Sequence, residues 1–216
     1  MSFAPLPVVA LKPSYLHFPL LRTVQTTSIP RTAKLTNVGS AELDVTGISV
    51  TGLNSGDFAQ SNNCLPTVAA GATCLITVTF TPTTQGWRTA SVTIADNAPG
   101  SPQTVPLTGR GTFLKWSPRQ MNLGTQQVGT SSTAQTVTLA NAGTAPITLF
   151  SIEIGGVNPG DFAQTDTCGS SLNPGASCTV QVTFTPTAVG NRLAHVAITD
   201  SAFGGTHWVG LLGKGT

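Results

Sequence analysis

Charged side chains are scarce in this sequence. They make up 8% of the 216 residues. Ten are basic and eight are acidic, which gives a net charge of +2. No cluster of basic residues with interleaved aromatics occurs, so the footprint of a nucleic-acid-binding surface is missing. No apolar run approaches the ~18–20 residues that span a bilayer. We therefore expect neither nucleic acid as a partner nor insertion into a membrane.

Residue patterns that carry catalysis are missing as well. The only histidines are His17, His195 and His207, and no Gly-x-Ser-x-Gly elbow or recurring His–carboxylate set accompanies a nucleophile. Residues 213–216 read Gly-Lys-Gly-Thr, but the upstream glycine and the following helix of a phosphate-binding loop are absent, which favours the end of a strand. We expect no enzyme, no cofactor and no metal.

A long passage, by contrast, occurs twice. Gly-Asp-Phe-Ala-Gln at residues 56–60 returns at 160–164, and Val-Thr-Phe-Thr-Pro-Thr at 78–83 returns at 182–187, each time 104 residues later. A repeat of that length without gaps is a small domain duplicated in tandem. We predict an extended N-terminal arm at residues 1–12, a first domain at 13–112 and a second domain at 113–216.

Short runs of alternating apolar and polar residues fill each copy. Ile76, Val78 and Phe80 fall on one face of such a run and threonines on the other, as a half-buried antiparallel strand requires. Gly, Pro and Asn clusters separate the runs, and no helical period appears. The predicted fold is all-β, with two tandem immunoglobulin-like antiparallel β-sandwiches.

The first residues have no counterpart that we recognise in the second copy. This stretch lacks the basic region and cleavage site of a signal peptide, and an extended segment cannot bury its apolar side chains alone. We predict that the arm docks on a neighbouring subunit. Its contact residues would be Phe3, Leu6, Val8, Val9 and Leu11.

The four cysteines follow the repeat. Cys64 and Cys74 are ten residues apart, as are Cys168 and Cys178. Joint duplication of both partners favours one disulfide within each domain, which suits an oxidising compartment. Reduced buried thiols are the alternative; zinc is disfavoured because no histidine lies near either pair.

Two aspartates sit in the repeated Gly-Asp-Phe loop. Asp57 and Asp161 could hold calcium together with Asn54 or Asp166. A structural role is favoured, in which each carboxylate caps a turn and the following phenylalanine plugs the end of the sandwich.

Two further aspartates end strands of the repeat. Asp96 and Asp200 have the positions of turn residues, and Arg88 and Arg192 are their expected partners. Such exposed ion pairs contribute little to stability.

Two tryptophans break the symmetry of the copies. Trp87 corresponds to Asn191, and Trp208 corresponds to Thr104. Unmatched aromatics are candidates for contact with a partner or a sugar, and packing at a sheet edge is the alternative.

These elements together resemble a known family. Residues 137–144, the Gly-Asp-Phe-Ala-Gln loop, the cysteine pair, the Val-Thr-Phe-Thr-Pro-Thr strand, and residues 96–103 leading to Gly-Arg-Gly-Thr at 109–112 are similar to the ASH-type immunoglobulin-like domain. That domain is named for abnormal-spindle and hydin proteins and is related to the major-sperm-protein fold. The likeness is strongest to bacterial tandem repeats of the "choice-of-anchor D" type. The resemblance implies spacers, adhesion modules or scaffolds that share no catalytic residues.

Two functions follow as expectations. The first is a structural component of a phage particle or bacterial appendage, such as a decoration, fibre or sheath protein; Met1 without a leader favours it. The second is a fragment of a secreted bacterial adhesin or carbohydrate-associated array, favoured because Thr216 matches the module end at Thr112. The expected partners are protein, either self or neighbouring subunits, and a surface glycan as a further candidate. Both functions predict an extracellular location.

Overall fold

A computed structural model describes residues 4–216 and separates the chain into two compact units that meet between Gly111 and Thr112. Each unit is a β-sandwich of two sheets, as the alternation predicted. The helices within the described range are single 3-10 turns at Ser55–Asp57 and Pro159–Asp161, and none of them could cross a membrane.

One sheet of the first domain has the order β1-β4-β8-β6, and the other has the order β2-β10-β9-β5-β7 with β3 beside β10. The strands found among the described residues are β1 (Val9–Lys12), β2 (Leu16–His17), β3 (Arg22–Thr23), β4 (Arg31–Asn37), β5 (Leu43–Thr51), β6 (Phe58–Asn62), β7 (Thr67–Val68), β8 (Thr73–Phe80), β9 (Gly86–Asp96) and β10 (Gln103–Thr112).

The second domain repeats this arrangement with the sheets β11-β13-β17-β15 and β12-β19-β18-β14-β16. Its strands are β11 (Leu114–Ser117), β12 (Gln120–Gln126), β13 (Gln135–Asn141), β14 (Ile147–Gly155), β15 (Phe162–Asp166), β16 (Ser171–Leu172), β17 (Ser177–Phe184), β18 (Gly190–Asp200) and β19 (Thr206–Gly215).

The predicted N-terminal arm is part of the first domain. Strand β1 pairs antiparallel with β4, from Val9 opposite Asn37 to Lys12 opposite Lys34. Strand β11 pairs with β13 in the same way, with Leu114 opposite Asn141. The first domain therefore begins before residue 13, and Leu114–Ser117 is the first strand of the second domain.

Four of the five predicted arm residues lie among the described residues of the first domain, and their docking on a neighbouring subunit stays a prediction. Val9 and Leu11 are half-buried against the core of their own domain, because the apolar side chains of β1 find cover on the sheet that they extend. Leu6 and Val8 stay exposed, and their backbones are bonded to residues 38–41. Phe3 lies outside the described residues.

Aromatic rings fill the interior at the Gly-Asp-Phe end of each sandwich. Phe18, Phe58 and Phe80 cluster in the first domain, with ring centroids 4.9–5.9 Å apart. Gly109 lies against this cluster, since a Cβ there would come within 2.6 Å of the Phe80 ring. Gly213 has the same relation to Phe184, so the Gly-Lys-Gly-Thr sequence belongs to strand packing.

Candidate functional site

The structure joins the cysteines within each domain. Cys64 is bonded to Cys74 and Cys168 to Cys178, with Cα atoms 5.1 and 4.9 Å apart, inside the usual span for a disulfide. All four are buried. The first bridge closes a loop whose short strand β7 pairs with β5 in the opposite sheet, so it fastens a connection between the two sheets.

The aspartate of the Gly-Asp-Phe loop is held by an arginine and a threonine. Arg88 Nε donates to Asp57 Oδ2, while the Thr83 amide and hydroxyl donate to Oδ1 at 3.1 and 2.7 Å. Asp57 is 2% exposed. Both carboxylate oxygens already have donors, which leaves the carboxylate committed to the loop itself rather than to a cation.

This geometry corrects the predicted arginine partners. Arg192 pairs with Asp161 through Nε, as Arg88 pairs with Asp57, and both arginines are largely buried. Asp96 and Asp200 cap turns instead, by accepting the amides of residues 98 and 202. The reason is the direction of strands β9 and β18. Their first residues lie beside the Gly-Asp-Phe loop, and their last residues lie at the opposite end of the sandwich.

Opposing effects act on the pKa of Asp161. Burial raises it, but the hydrogen bonds from Arg192 and Thr187 and the charge of Arg192 outweigh burial, so the pKa lies below its ordinary value of 3.8. The carboxylate is therefore ionised at neutral pH and functions as an anchor for Arg192.

A buried asparagine joins neighbouring segments in each domain. Asn37 Nδ2 donates to the carbonyls of Ala41 and Val68 at 2.7 and 3.0 Å, and its Oδ1 accepts the amides of Gly39 and Val8 at 3.1 and 3.3 Å. Its counterpart Asn141 makes the corresponding bonds to residues 143, 145 and 172. The repeat marked these positions, but the sequence alone did not show their role.

A histidine and a carboxylate meet in the core of the second domain. His207 Nε2 lies 3.3 Å from Asp200 Oδ2, and their side chains are 1% and 0% exposed. The Trp116 ring packs on His207, with centroids 4.4 Å apart. A pair of this type could exchange protons with a substrate only if one could reach it, and here packing covers it.

The two unmatched tryptophans lie on the exposed surfaces of their domains. Trp87 is 58% exposed, and the Arg110 guanidinium lies 5.4 Å from its ring centroid. Arg110 also donates to the carbonyl of Pro19 at 2.9 Å. The Trp87 surface is therefore partly covered by a side chain of its own domain.

Trp208 is 53% exposed and rests against a histidine. The His195 ring meets it edge-on, with centroids 4.5 Å apart. Gly155 makes room for that ring, since a Cβ there would stand 2.8 Å from His195 Nε2. Two aromatic side chains on neighbouring strands thus form one exposed unit.

A groove of about 400 Å³ opens on the same face of the second domain. Its lining includes Leu193, Leu212, Asn122, Asn191 and Lys214. Strand β12 bulges between Asn122 and Thr125. We take this groove, together with Trp208 and His195, as the candidate functional site. Sequence reasoning had identified Trp208 but not the groove, which depends on strand register.

A comparison with curated protein sequences finds no match. Among solved structures, a protein of unknown function from Porphyromonas gingivalis W83 aligns at 13% identity and TM-score 0.41, covering 95% of this chain and 99% of that one. The ASH/PapD-like domain 7 of human CEP192 aligns at 17% identity and TM-score 0.35, covering 51% and 89%.

The Vibrio cholerae VesB protease aligns at 14% identity and TM-score 0.39, covering 82% of this chain and 62% of that one. The HYDIN/CFA65/VesB-like Ig-like domain matches residues 7–112 and again 113–205. The chain therefore belongs to the HYDIN/CFA65/VesB-like Ig-like domain family, in two tandem copies.

Proposed function

We propose that the protein is a non-catalytic structural and interaction protein that functions outside the cytoplasm, as a surface component of a phage particle or a bacterial appendage. One observation carries the proposal. The buried groups that could perform chemistry are held within the fold: Arg88 and Thr83 donate hydrogen bonds to both oxygens of the Asp57 carboxylate, and packing covers His207 beside Asp200.

The bridges support the location. Both pairs of cysteines are close enough to bond and are buried beside the sheet connection that they close. Disulfides persist in oxidising compartments and are rare in the cytosol. The arm has a smaller part than expected, because Val9 and Leu11 are engaged within their own domain.

The test is to find where the native chain resides and in what redox state. Immunogold labelling of intact particles or cells that produce it should mark their surface. Alkylation of the sample before any reducing agent should leave all four cysteines unmodified. Labelling confined to the cytoplasm, with free thiols, would refute the proposal.

A second function has one observation in its favour. An exposed tryptophan that packs against a histidine lies on the same face of the second domain as a groove. This arrangement suits an adhesin or a carbohydrate-associated surface array, in which the module contacts a glycan.

A further inference from the structure

The outer faces of the two domains differ in chemistry although their registers agree. Strands β9 and β10 pair Thr89 with Thr108, and β18 and β19 pair Leu193 with Leu212 at the same place. At four positions of these strands the second domain has an apolar or aromatic side chain where the first has a hydroxyl. The four replacements, taken 104 residues on, are Thr89 to Leu193, Ser91 to His195, Thr104 to Trp208 and Thr108 to Leu212.

The demands of folding do not account for these replacements. The first domain forms the same sheet with threonine and serine at the equivalent positions. Leu193 and Trp208 remain 44% and 53% exposed in the second domain, so much of their apolar surface still meets water. An apolar strip left exposed on one copy of a duplicated domain marks an interaction surface.

The aromatic end of the strip is held in place before any ligand arrives. His195 lies over Gly155 and Gly156, where a Cβ would come within 2.8 and 3.2 Å of its ring nitrogens. Thr51 stands where Gly155 does in the first domain, and a threonine there would collide with the ring. The position of the His195 ring therefore requires glycine at residue 155. The His195 ring in turn packs against Trp208. A rigid platform lowers the entropy lost on binding.

The other end of the strip is the groove. Its volume of about 400 Å³ lies in the range of small-ligand sites. Leu193 and Leu212 provide apolar floor, and the amides of Asn122 and Asn191 provide hydrogen-bonding rim.

The first domain fills the corresponding place with its own side chains. There Arg110 stands for Lys214, and it spans the Trp87 ring and the carbonyl of Pro19. Lys214 makes no ion pair with any residue in the 4–216 range, and the residue is exposed.

We propose that this face of the second domain binds a saccharide chain, an inference that rests on the adhesin reading above. Along β19 the face carries Trp208, Leu212 and Lys214 over roughly 20 Å at the usual strand rise. The amides of Asn122 and Asn191 lie on the neighbouring strands β12 and β18. Sugar rings present an apolar C–H face and a rim of hydroxyls. The C–H face packs on Trp208 or the leucines, while the rim hydroxyls accept from and donate to the amides.

A saccharide fits this site better than a protein partner does. A stable protein interface needs about 800 Å² from each side and several anchoring side chains. The groove is lined by eight residues, far fewer than the roughly 20–30 that each side of a protein interface supplies, and this suits an occupant of the size of a sugar ring. Its rim carries a single charged group, Lys214, so an uncharged or acidic chain is accepted and a basic one is not.

The experiment is affinity electrophoresis of the intact two-domain protein in gels that contain a soluble polysaccharide. Two gels hold neutral polymers, galactomannan and mixed-linkage β-glucan, and two hold acidic polymers, alginate and polygalacturonate. We expect retardation in at least one. Trp208→Thr and the double variant Leu193→Thr/Leu212→Thr should each weaken the apparent affinity at least tenfold, since they install the residues that the first domain tolerates.

Trp87→Asn is the matched control, because it removes the other exposed tryptophan and installs the residue of the second copy; its affinity should equal that of the wild type. Lys214→Gln separates the ligands: it weakens binding to an acidic polymer at least threefold and leaves a neutral one unchanged. Absence of retardation in all four gels overturns the proposal, as does retardation that survives Trp208→Thr. Self-association abolished by Trp208→Thr would assign the face to a second copy instead. Surface labelling of the wild-type protein tests the proposed function separately and does not depend on the gels.

Discussion

Arg192 donates through Nε to Asp161 across the end of the second sandwich, and both side chains are nearly buried. The carboxylate also holds the amide and hydroxyl of Thr187. A charge taken out of water in this way depends on its partner, because little solvent remains to replace it.

Replacing Arg192 by Gln should therefore strand a buried carboxylate. We expect the free energy of unfolding of the second domain to fall by about 3–5 kcal/mol, measured by urea denaturation with each domain followed separately by hydrogen exchange. Lys115→Gln, at an exposed position of the same domain, is the control and should change little. A loss below about 1 kcal/mol for Arg192→Gln would mean that the pair is as weak as an exposed one.

The pH dependence has a definite sign. The pKa of Asp161 is lowered from 3.8 in the folded chain, so between the folded and unfolded values the unfolded state binds more protons and stability rises with pH. The contribution is complete above about pH 5 and is lost as the pH falls below 4 toward the folded pKa. Unfolding curves recorded from pH 6 down to pH 2 will show this. The Asp161→Asn variant should be less stable than the wild type at pH 6, and its stability should fall less steeply as the pH is lowered. An equally steep fall would contradict the lowered pKa of Asp161.

Asn37 is expected to matter more than a turn asparagine normally does. Asn37→Ala removes four hydrogen bonds to backbone groups and leaves some of them buried without partners, which should cost about 3 kcal/mol. Asn97→Ala is the control, because Asn97 is exposed, and should cost less than 1 kcal/mol. Thermal unfolding monitored by circular dichroism compares the two variants. Equal losses of stability would show that Asn37 does not hold these segments together.

Gly39 tests whether the N-terminal segment belongs to the first domain. A Cβ at Gly39 would stand 2.3 Å from the Leu6 carbonyl oxygen and 2.5 Å from the Val8 amide nitrogen. Gly39→Ala should displace residues 6–8, cost about 1–3 kcal/mol and speed hydrogen exchange at the Val38 amide, which donates to Val8. Gly56→Ala meets nothing within 4 Å and serves as the control. Unchanged exchange at Val38 in the Gly39 variant would show that this contact is absent in solution.

Each disulfide should contribute to stability on its own. Closing a loop of this size stabilises by about 3 kcal/mol in the chain-entropy account. Cys64→Ala/Cys74→Ala should lower the urea midpoint of the first domain, and Cys168→Ala/Cys178→Ala that of the second. Reducing agent should lower both midpoints of the wild type and leave the quadruple variant unaffected. If the double variants unfold at the wild-type midpoints, the bridges are dispensable.

The repeat and its alternation were enough to predict the fold. Ile76, Val78 and Phe80 point inward as their spacing indicated, and the copies became two sandwiches of the same order. The start of the first domain was placed too late, because Val9–Lys12 and Leu114–Ser117 share no residue at equivalent positions. Only Pro13 and Pro118, directly after each strand, marked their equivalence.

Contacts between residues that are distant in the sequence account for the other incorrect or missing predictions. Arg88 was assigned to Asp96 on its own strand, whereas its partner Asp57 lies 31 residues away on a loop that the fold brings alongside. Comparison of the copies identified Trp208 as unmatched. The groove on the same face forms because β12 bulges and because Leu193 pairs with Leu212. The spacing of residues within a single strand predicts neither feature.

The bridge that fastens the sheet connection has a mechanical consequence. If a domain is pulled open by its ends, the residues between Cys64 and Cys74 cannot extend, and the chain passes through the sulfurs over a Cα separation of 5.1 Å. At the reach of an extended chain, the bridge withholds roughly 30 Å of contour length. A module under tension would thus lengthen less, and stop sooner, when oxidised than when reduced.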